Sequence, residues 1–287
     1  MTDKPMMYVV VPVLNEAGNI PRLMDSLRRI HTELSEVRTH VLLVDDGSTD
    51  GTGEEATRLS AGLSFEVLRH PENFGPGKAF GSAFELLGSR LGPNDWVLTI
   101  EGDNTSRLEL VRQMFTRAAE GFDVVLASPY LYGGGLSNTS AWRVFLSHVA
   151  NVFVKEAIGL HGIVTMSSFF RLHRAQTLKD MQACFGPNIV DRRGFESMVE
   201  MLLKMVYLNV SISEVAMKLD TSKRVGESKM RVYRTAMGYL SLWNDKYRWL
   251  AAAERHTGLR APPPTTGPSH GYPSNHRAAT SRETPAS

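Results

Sequence analysis

The stretch HVLLVDDGSTDGT, His40–Thr52, decides the fold. Apolar residues run unbroken from Val41 to Val44, two carboxylates close the run, and Gly, Ser and Thr turn chemistry follows. A short apolar run bounded by turn residues is the pattern of a strand buried on both faces. The same plan recurs on either side. MYVVVPVLNE, Met7–Glu16, ends in Asn15 and Glu16, and WVLTIEGDNTS, Trp96–Ser106, ends in Glu101 and Asp103. FEVLRH, Phe65–His70, and FDVVLASPY, Phe122–Tyr130, read as two further strands.

Helical patterns separate these strands. Ile20, Leu23, Leu27, Ile30, Leu34 and Val37 recur at alternating spacings of four and three, with Asn19 offered as a cap and Pro21 in the first turn. NFGPGKAFGSAFELLGSRL, Asn73–Leu91, is a glycine loop opening a helix. Strands alternating with helices predict an α/β fold, a mostly parallel sheet flanked by helices. Beyond Gly133 the texture changes. GGGLSNTSAW, Gly133–Trp142, reads as a flexible loop, and Trp142–Ile158 as an aromatic-rich helix. A helix over Phe195–Val206, strand-like NVSISEVAMKL, a basic turn TSKRVGESKM and an amphipathic helix from Arg231 to about Arg255 follow. The tail 261–287 holds six of the fourteen prolines and is expected to be disordered. The expected organisation is one domain over 1–230, with a nucleotide-binding half (6–126) and an acceptor half (127–230). The helix (231–260) and the tail (261–287) come after it.

Among 287 residues, 42% are hydrophobic and 22% charged, ordinary for a soluble globular chain. A single cysteine, Cys184, excludes an internal disulfide framework. Asp3 and Lys4 and the short run Met6–Leu14, broken by Pro12, do not read as a signal peptide. Apolar stretches fall short of the roughly 20 residues that span a bilayer. A cytoplasmic location, peripheral at the membrane face, is expected. The net charge of +2 hides an asymmetry: residues 221–260 carry nine Lys/Arg against three Asp/Glu, while 1–220 carry a net −5. This points to an anionic partner near the C-terminal helix, or equally to a solvated helix face. No nucleic-acid partner is expected.

Side chains at i and i+2 of an extended chain point the same way, so Glu101 and Asp103 repel each other unless a cation lies between them. The alternative is a solvated loop opening a helix, with Asp103–Ser106 offering cap oxygens. In open α/β sheets, ligands bind beyond the carboxyl ends of the strands, where these acids fall. Glu101 and Asp103 are hard oxygen ligands suited to Mg²⁺ or Mn²⁺ bridging phosphates. Asp45 and Asp46 are expected to accept hydrogen bonds from a ribose or base. A dinucleotide fold would need G-x-G-x-x-G after the first strand, where PVLNEAGN stands. GPGKAFG, Gly75–Gly81, spaces its third glycine one residue too far, and no G-x-x-x-x-G-K-[ST] loop occurs.

Together, VVVPVLNEAGNI, VLLVDDGSTDGT, NFGPGKA and IEGDNTS resemble the family-2 inverting glycosyltransferases of GT-A fold. YGGG, SFFRLHR, VEMLLK and RVGESKM narrow the resemblance to dolichol-phosphate and polyprenyl-phosphate mannosyltransferases, over roughly residues 6–230. It implies that Pro12, Asn15, Glu16, Asp45 and Asp46 hold the nucleotide, and that Asn73, Gly75 and Ala79 form a loop closing beside it. Glu101 and Asp103, around Gly102, take the place of the metal-binding D-x-D, with Thr105 completing the site. Arg224, Ser228 and Lys229 resemble a loop reaching the donor phosphates, and Arg171, near Ser168, a group beside the lipid phosphate. Glu101, Asp103, Arg171 and Lys229 are the expected catalytic set. Departures lie on the acceptor side. The relatives' G-S-R reads Ala127-Ser128-Pro129, and their Asp and Gly in D-x-x-S-G-F-R become Thr165 and Phe169. Glu200 matches a family acid or is a helix-surface charge, Asp50 reads as a turn residue, and His70, His148 and His173 as structural or surface residues.

On the last helix, Tyr233, Met237, Leu240, Trp243, Tyr247 and Leu250 form an aromatic stripe beside Arg231, Arg234, Lys246 and Arg248. Such a helix lies on anionic lipid or packs on protein. The resemblance implies metal-dependent transfer of mannose or glucose from a nucleotide sugar (GDP-mannose or UDP-glucose type) to polyprenyl phosphate. The alternatives are a hydroxyl acceptor and a non-catalytic nucleotide-sugar-binding protein.

Overall fold

The computed structural model describes residues 4–103, 109–137, 162–166, 168–220 and 232–258. Its first strands are β1 (Met6–Val13), β2 (Arg38–Asp45), β3 (Phe65–Arg69), β4 (Trp96–Thr99) and β5 (Val124–Ser128). Between them lie α1 (Ile20–Glu33), α2 (Thr52–Arg58), α3 (Pro76–Gly88) and α4 (Leu110–Ala119). The second part adds β6 (Gly135–Ser137), β7 (Arg171–Arg174), α5 (Ala175–Phe185), α6 (Ser197–Tyr207), β8 (Ile212–Ala216), β9 (Lys218–Asp220) and α7 (Val232–Thr257). Seven strands form one mixed sheet in the order β3-β2-β1-β4-β7-β5-β8, and β6 pairs with β9 in a small second sheet. All neighbours in the large sheet are parallel except those of β7, which runs antiparallel to both β4 and β5.

Strand alternation explains the two cores. In β1, Val9, Val11 and Val13 face the layer of α1, α2 and α4, while Val10 faces the layer of α3, α5, α6 and α7. In β2, Val41 and Leu43 take the first side, Leu42 and Val44 the second. β4 and β5 are buried along their whole length, as central strands covered on both faces should be. The stripe read on α1 is buried from Ile20 to Ile30, and Leu34 and Val37 continue it past the helix end. Asn19 stands at the cap position, but its side chain makes no capping bond; its amide donates to Glu16 instead.

One sequence expectation needs correction, and one strand had no counterpart in the sequence reading. The stretch from Gly133 is not wholly loop, because Gly135–Ser137 pairs with Lys218–Asp220. SFFRLHR supplies β7, a strand at the centre of the sheet that its arginines and histidine concealed. The predicted Trp142–Ile158 helix and the tail 261–287 lie outside the described residues.

Candidate active site at the strand ends

Parallel pairing brings the carboxyl ends of β1 to β4 to one rim. Val13 pairs with Asp45, Asp45 with Arg69, and Val10 with Thr99. The loops beyond are tied to one another by side-chain-to-backbone hydrogen bonds. Asn15 adopts a left-handed φ of 48°, which Asn tolerates better than most residues. Its N–H donates to Ser48 Oγ (2.9 Å) and its carbonyl Oδ1 accepts from Thr49 N (2.9 Å). Glu16 N donates to Thr52 Oγ1 (2.8 Å) and Ala17 N to Asp50 Oδ2 (3.0 Å). Burial acts to raise the Asp50 carboxyl pKa, but hydrogen bonds from Thr52 and Ala17 outweigh it and hold it below the usual range. Asp50 is thus a turn organiser, as its sequence context implied.

Asp45 and Asp46 turn inward. Asp45 is fully buried; Oδ1 accepts from Ser48 N (2.9 Å), and Oδ2 makes no hydrogen bond and lies 3.6 Å from Arg69 Nε. Asp46, also buried, accepts from Phe74 N (3.0 Å) and Gly75 N (2.8 Å) and contacts His70 Nδ1 at 2.7 Å. These contacts give Asp46 a structural task beside the ribose or base contact expected of the pair, and leave Asp45 Oδ2 without a hydrogen-bond partner. Asp46 fastens the glycine loop, with Asn73 Oδ1 accepting from Gly75 N at 2.9 Å. The groups that line the open space are Gly47, Ser48, Thr49, Arg69, His70 and Pro71, around a cleft of about 350 Å³ beyond β2 and β3. That volume falls at the low end of small-molecule sites.

Glycines permit close approaches here. A Cβ on Gly102 would lie 2.6 Å from Val13 Cγ1 and 3.1 Å from Pro12 O, so the Glu101–Asp103 turn sits directly against the end of β1. A Cβ on Gly77 would lie 2.1 Å from Arg192 O, and Gly77 N donates to Arg193 O at 2.8 Å. The segment 191–193 is therefore the seat of the glycine loop. It is held by Glu200, which accepts from Asp191 N (2.8 Å) and Arg192 N (2.9 Å) and pairs with Lys204 at 2.5 Å. Glu200 and Lys204 are both buried, and burial raises the Glu200 carboxyl pKa. Glu200 is no surface charge.

Asp103 is buried and Glu101 half-buried on the rim. Among the described residues no group of three or more His, Cys, Asp or Glu is arranged to hold a metal. Two carboxylates with the remaining positions left to ligand phosphates is the donor set that Mg²⁺ characteristically uses, so Glu101 and Asp103 fit such an ion. Thr105, Arg224, Ser228 and Lys229 lie outside the described residues.

Arg171, expected beside an acceptor phosphate, is an interior side chain. Its side chain is fully buried, with Nε, Nη1 and Nη2 donating to the carbonyls of Ser168 (2.7 Å), Met198 (3.0 Å) and Met166 (2.7 Å). It joins β7 to α6 and to the carbonyls of Met166 and Ser168. The departures from the family pattern also fill interior space. Ser128 and Thr165 share a buried hydroxyl–hydroxyl contact, and Phe169 stacks on Phe80 with centroids 5.3 Å apart. Sequence reading missed the 191–193 seat; the glycines at 75 and 77 signalled a close approach but not its partner.

Comparison with known proteins agrees with this architecture. Residues 8–182 match the model of the family described as glycosyl transferase family 2. The chain is 28% identical over 244 residues to polyprenol monophosphomannose synthase of Mycolicibacterium smegmatis, covering 84% of this chain and 87% of that one. It is 27% identical over 255 residues to undecaprenyl-phosphate mannosyltransferase of Micrococcus luteus, covering 88% and 96%. Its fold is similar to that of glucosyl-3-phosphoglycerate synthase of Mycobacterium tuberculosis, solved with Mn²⁺ and UDP-glucose. The TM-score is 0.56 at 17% identity, covering 89% of this chain and 80% of that one. The family match spans more than half of the sequence and includes the carboxyl ends of all four strands that build the rim, so this chain, a GT-A-fold glycosyltransferase, belongs to glycosyl transferase family 2.

Proposed function

We propose that this enzyme transfers a hexose, mannose or glucose, from a nucleoside diphosphate sugar to polyprenyl phosphate with inversion at the anomeric carbon. The observation that carries the reading is the rim itself: the Glu101–Asp103 turn abuts β1 beside loops that border an open cleft at the ends of β2 and β3. The cleft is assigned to the nucleoside, bordered by Arg69, His70 and the Gly47–Thr49 backbone. Glu101 and Asp103, with Thr105, are assigned to a divalent ion, Mg²⁺ or Mn²⁺, which when bound stabilises the charge developing on the departing diphosphate. Pro12, Asn15, Glu16, Asn73 and Gly75 shape the wall of the donor site, while Arg224, Ser228 and Lys229 are assigned to the phosphates.

The acceptor assignment is supported by the names of the two relatives matched over most of their length. Chemistry supports it as well. A phosphate monoester is ionised at neutral pH, so its oxygen attacks without a dedicated base, whereas a hydroxyl ordinarily needs one. Two of the acids at this rim have other work: Asp46 and Asp50 hold loops. Contact with the membrane is peripheral in this reading, since no helix among the described residues is long and apolar enough to cross it. The test supplies GDP-mannose or UDP-glucose with Mn²⁺ to polyprenyl phosphate and, separately, to simple sugar and glycerate acceptors. Sugar-linked lipid phosphate is expected. Transfer to a hydroxyl acceptor with none to lipid phosphate overturns the assignment.

A further inference from the structure

His70 directly follows β3 and stands on the wall of the strand-end cleft, beside Arg69 and the Gly47–Thr49 turn. It is buried, and both ring nitrogens have partners: Nδ1 lies 2.7 Å from Asp46 Oδ1, and Nε2 lies 3.1 Å from Ser82 Oγ on α3. A carboxylate only accepts, so Nδ1 carries the proton and Nε2 is left to accept from the Ser82 hydroxyl. A neutral imidazole thus uses its one donor and its one acceptor inside the protein. The main chain is tied as well, His70 N donating to Asp45 O at 2.8 Å. The ring lies against Phe74, with centroids 5.3 Å apart. Carboxylate, imidazole and hydroxyl stand in the order of a nucleophile triad. Ser82 lies within α3, however, where backbone amides are committed to helix bonds and offer no oxyanion donors.

We propose that His70 is a positioning residue for the donor: it holds the Asp46 carboxylate towards the glycine loop and joins the end of β3 to α3, keeping the nucleoside cleft preformed. Asp46 Oδ1 accepts from both His70 Nδ1 and Phe74 N, while Oδ2 accepts from Gly75 N. The imidazole therefore fixes the carboxylate rotamer that presents one oxygen to each loop amide. The same turn meets the loop backbone directly. Gly47, with a φ of 77°, borders the cleft, and a Cβ there would lie 2.4 Å from the carbonyl carbon of Glu72 and 2.8 Å from Asn73 N. Cleft wall and glycine loop are thus one interlocked unit, and His70 is the side chain that bonds this unit to Ser82 of α3. Both ring nitrogens are engaged within the protein, so the ring acts on the donor through the shape of the wall. A preformed wall spares binding the ordering that a loose loop would require.

This inference rests on the assignment of the cleft to the donor nucleoside, and the experiment separates the two. Binding of UDP and of GDP, each with Mn²⁺, is measured by calorimetry on full-length wild type, H70F, H70N and S82A. Melting temperature and steady-state kinetics are recorded alongside. H70F keeps a ring in place and removes both side-chain hydrogen bonds. It is expected to raise the Kd of the nucleotide that the wild type prefers, and the donor KM, roughly tenfold or more, with kcat and the acceptor KM near wild type. H70N places an amide nitrogen where Nδ1 stood and should recover most of that loss. S82A releases only the tie to α3 and should weaken nucleotide binding severalfold. Wild-type affinity in folded H70F, or in S82A where H70F does not fold, overturns the inference. So does a rise in acceptor KM equal to that in donor KM, or no recovery in H70N, because either assigns His70 to general stability. Absence of nucleotide binding by the wild type instead defeats the donor assignment, and the inference with it.

Discussion

At the β1–β4 side of the sheet, acidic side chains hold loops around an opening; on the β7, α5 and α6 side, ionisable side chains are sealed inside. Asp46, Asp50 and Asn15 tie strand-end turns to one another while leaving a cleft between them. Arg171, His173, Glu200 and Lys204 are all essentially inaccessible, and Arg171, Glu200 and Lys204 bond backbone groups or each other. The same residue types therefore carry different meanings in the two regions. A charge at a parallel strand end shapes the loops around the cleft, whereas a charge on the antiparallel strand β7 or on α6 braces the scaffold beneath it. Substitutions in the first region should alter turnover, and those in the second, stability.

The largest effect is expected at Arg171. Arg171→Ala strips three buried carbonyls of their donor and should cost on the order of 3–5 kcal/mol of stability. Thermal unfolding reads it out; an unchanged melting temperature with selective loss of acceptor use would return Arg171 to the catalytic site and dissolve the contrast. Next comes Asp103→Asn, which removes a ligand charge with little change in volume. Transfer should fall by roughly 10²-fold or more while the melting temperature stays near wild type. Glu101→Asp should be tolerated better than Glu101→Gln. Full activity in Asp103→Asn, or in excess EDTA, contradicts the metal reading.

His173 sharpens the contrast through pH. It is wholly buried with neither ring nitrogen hydrogen-bonded, and burial, with the nearby Arg171 charge, pushes its pKa down to about 3. An unfolded chain holds the ordinary value near 6.5, so between about 6.5 and 3 the unfolded state binds the additional proton. Full stability is present above that window, and stability falls as pH falls through it, by up to about 1.4 kcal/mol per pH unit. His173→Leu should flatten this limb in denaturant titrations at pH 7, 5 and 4; an unaltered slope removes His173 from the account. The smallest effect is expected from truncation after Arg260, which should leave melting temperature and donor binding unchanged. A large drop in either would show that the tail docks on the domain.

The contrast also separates what was legible in the sequence from what was not. Buried parallel strands are nearly pure apolar runs, so Val41–Val44 and Val9–Val11 declared themselves, and each acid that followed declared a rim. RLHR did not read as a strand because three of its four residues are basic, and what makes them tolerable inside is distant in the chain. The Met198 carbonyl, 27 residues from Arg171, is one such partner. Glu200 was equally opaque, since a helix position gives its charge no direction until Asp191 N and Lys204 are placed around it. At the rim, the acids were found but the aim of Asp46 was not. Its partners, Phe74 and Gly75, follow it by a whole strand.

The central position of β7 governs how the chain can be born. β4 is flanked on one side by β1, already synthesised, and on the other by a strand 70 or more residues later. If the first four strands pair before Arg174 leaves the ribosome, β4, fully buried in the finished fold, would stand as an open, apolar edge. β5 emerges in the interval but cannot close it, because its partners are β7 and β8. Such an edge is a template for pairing with another chain. The segment 6–126 should therefore be unable to stand alone as a soluble fragment, although it holds the rim acids and the cleft. The shortest unit that seals the free edge of β4 must reach past Arg174, well beyond the apparent midpoint of the chain.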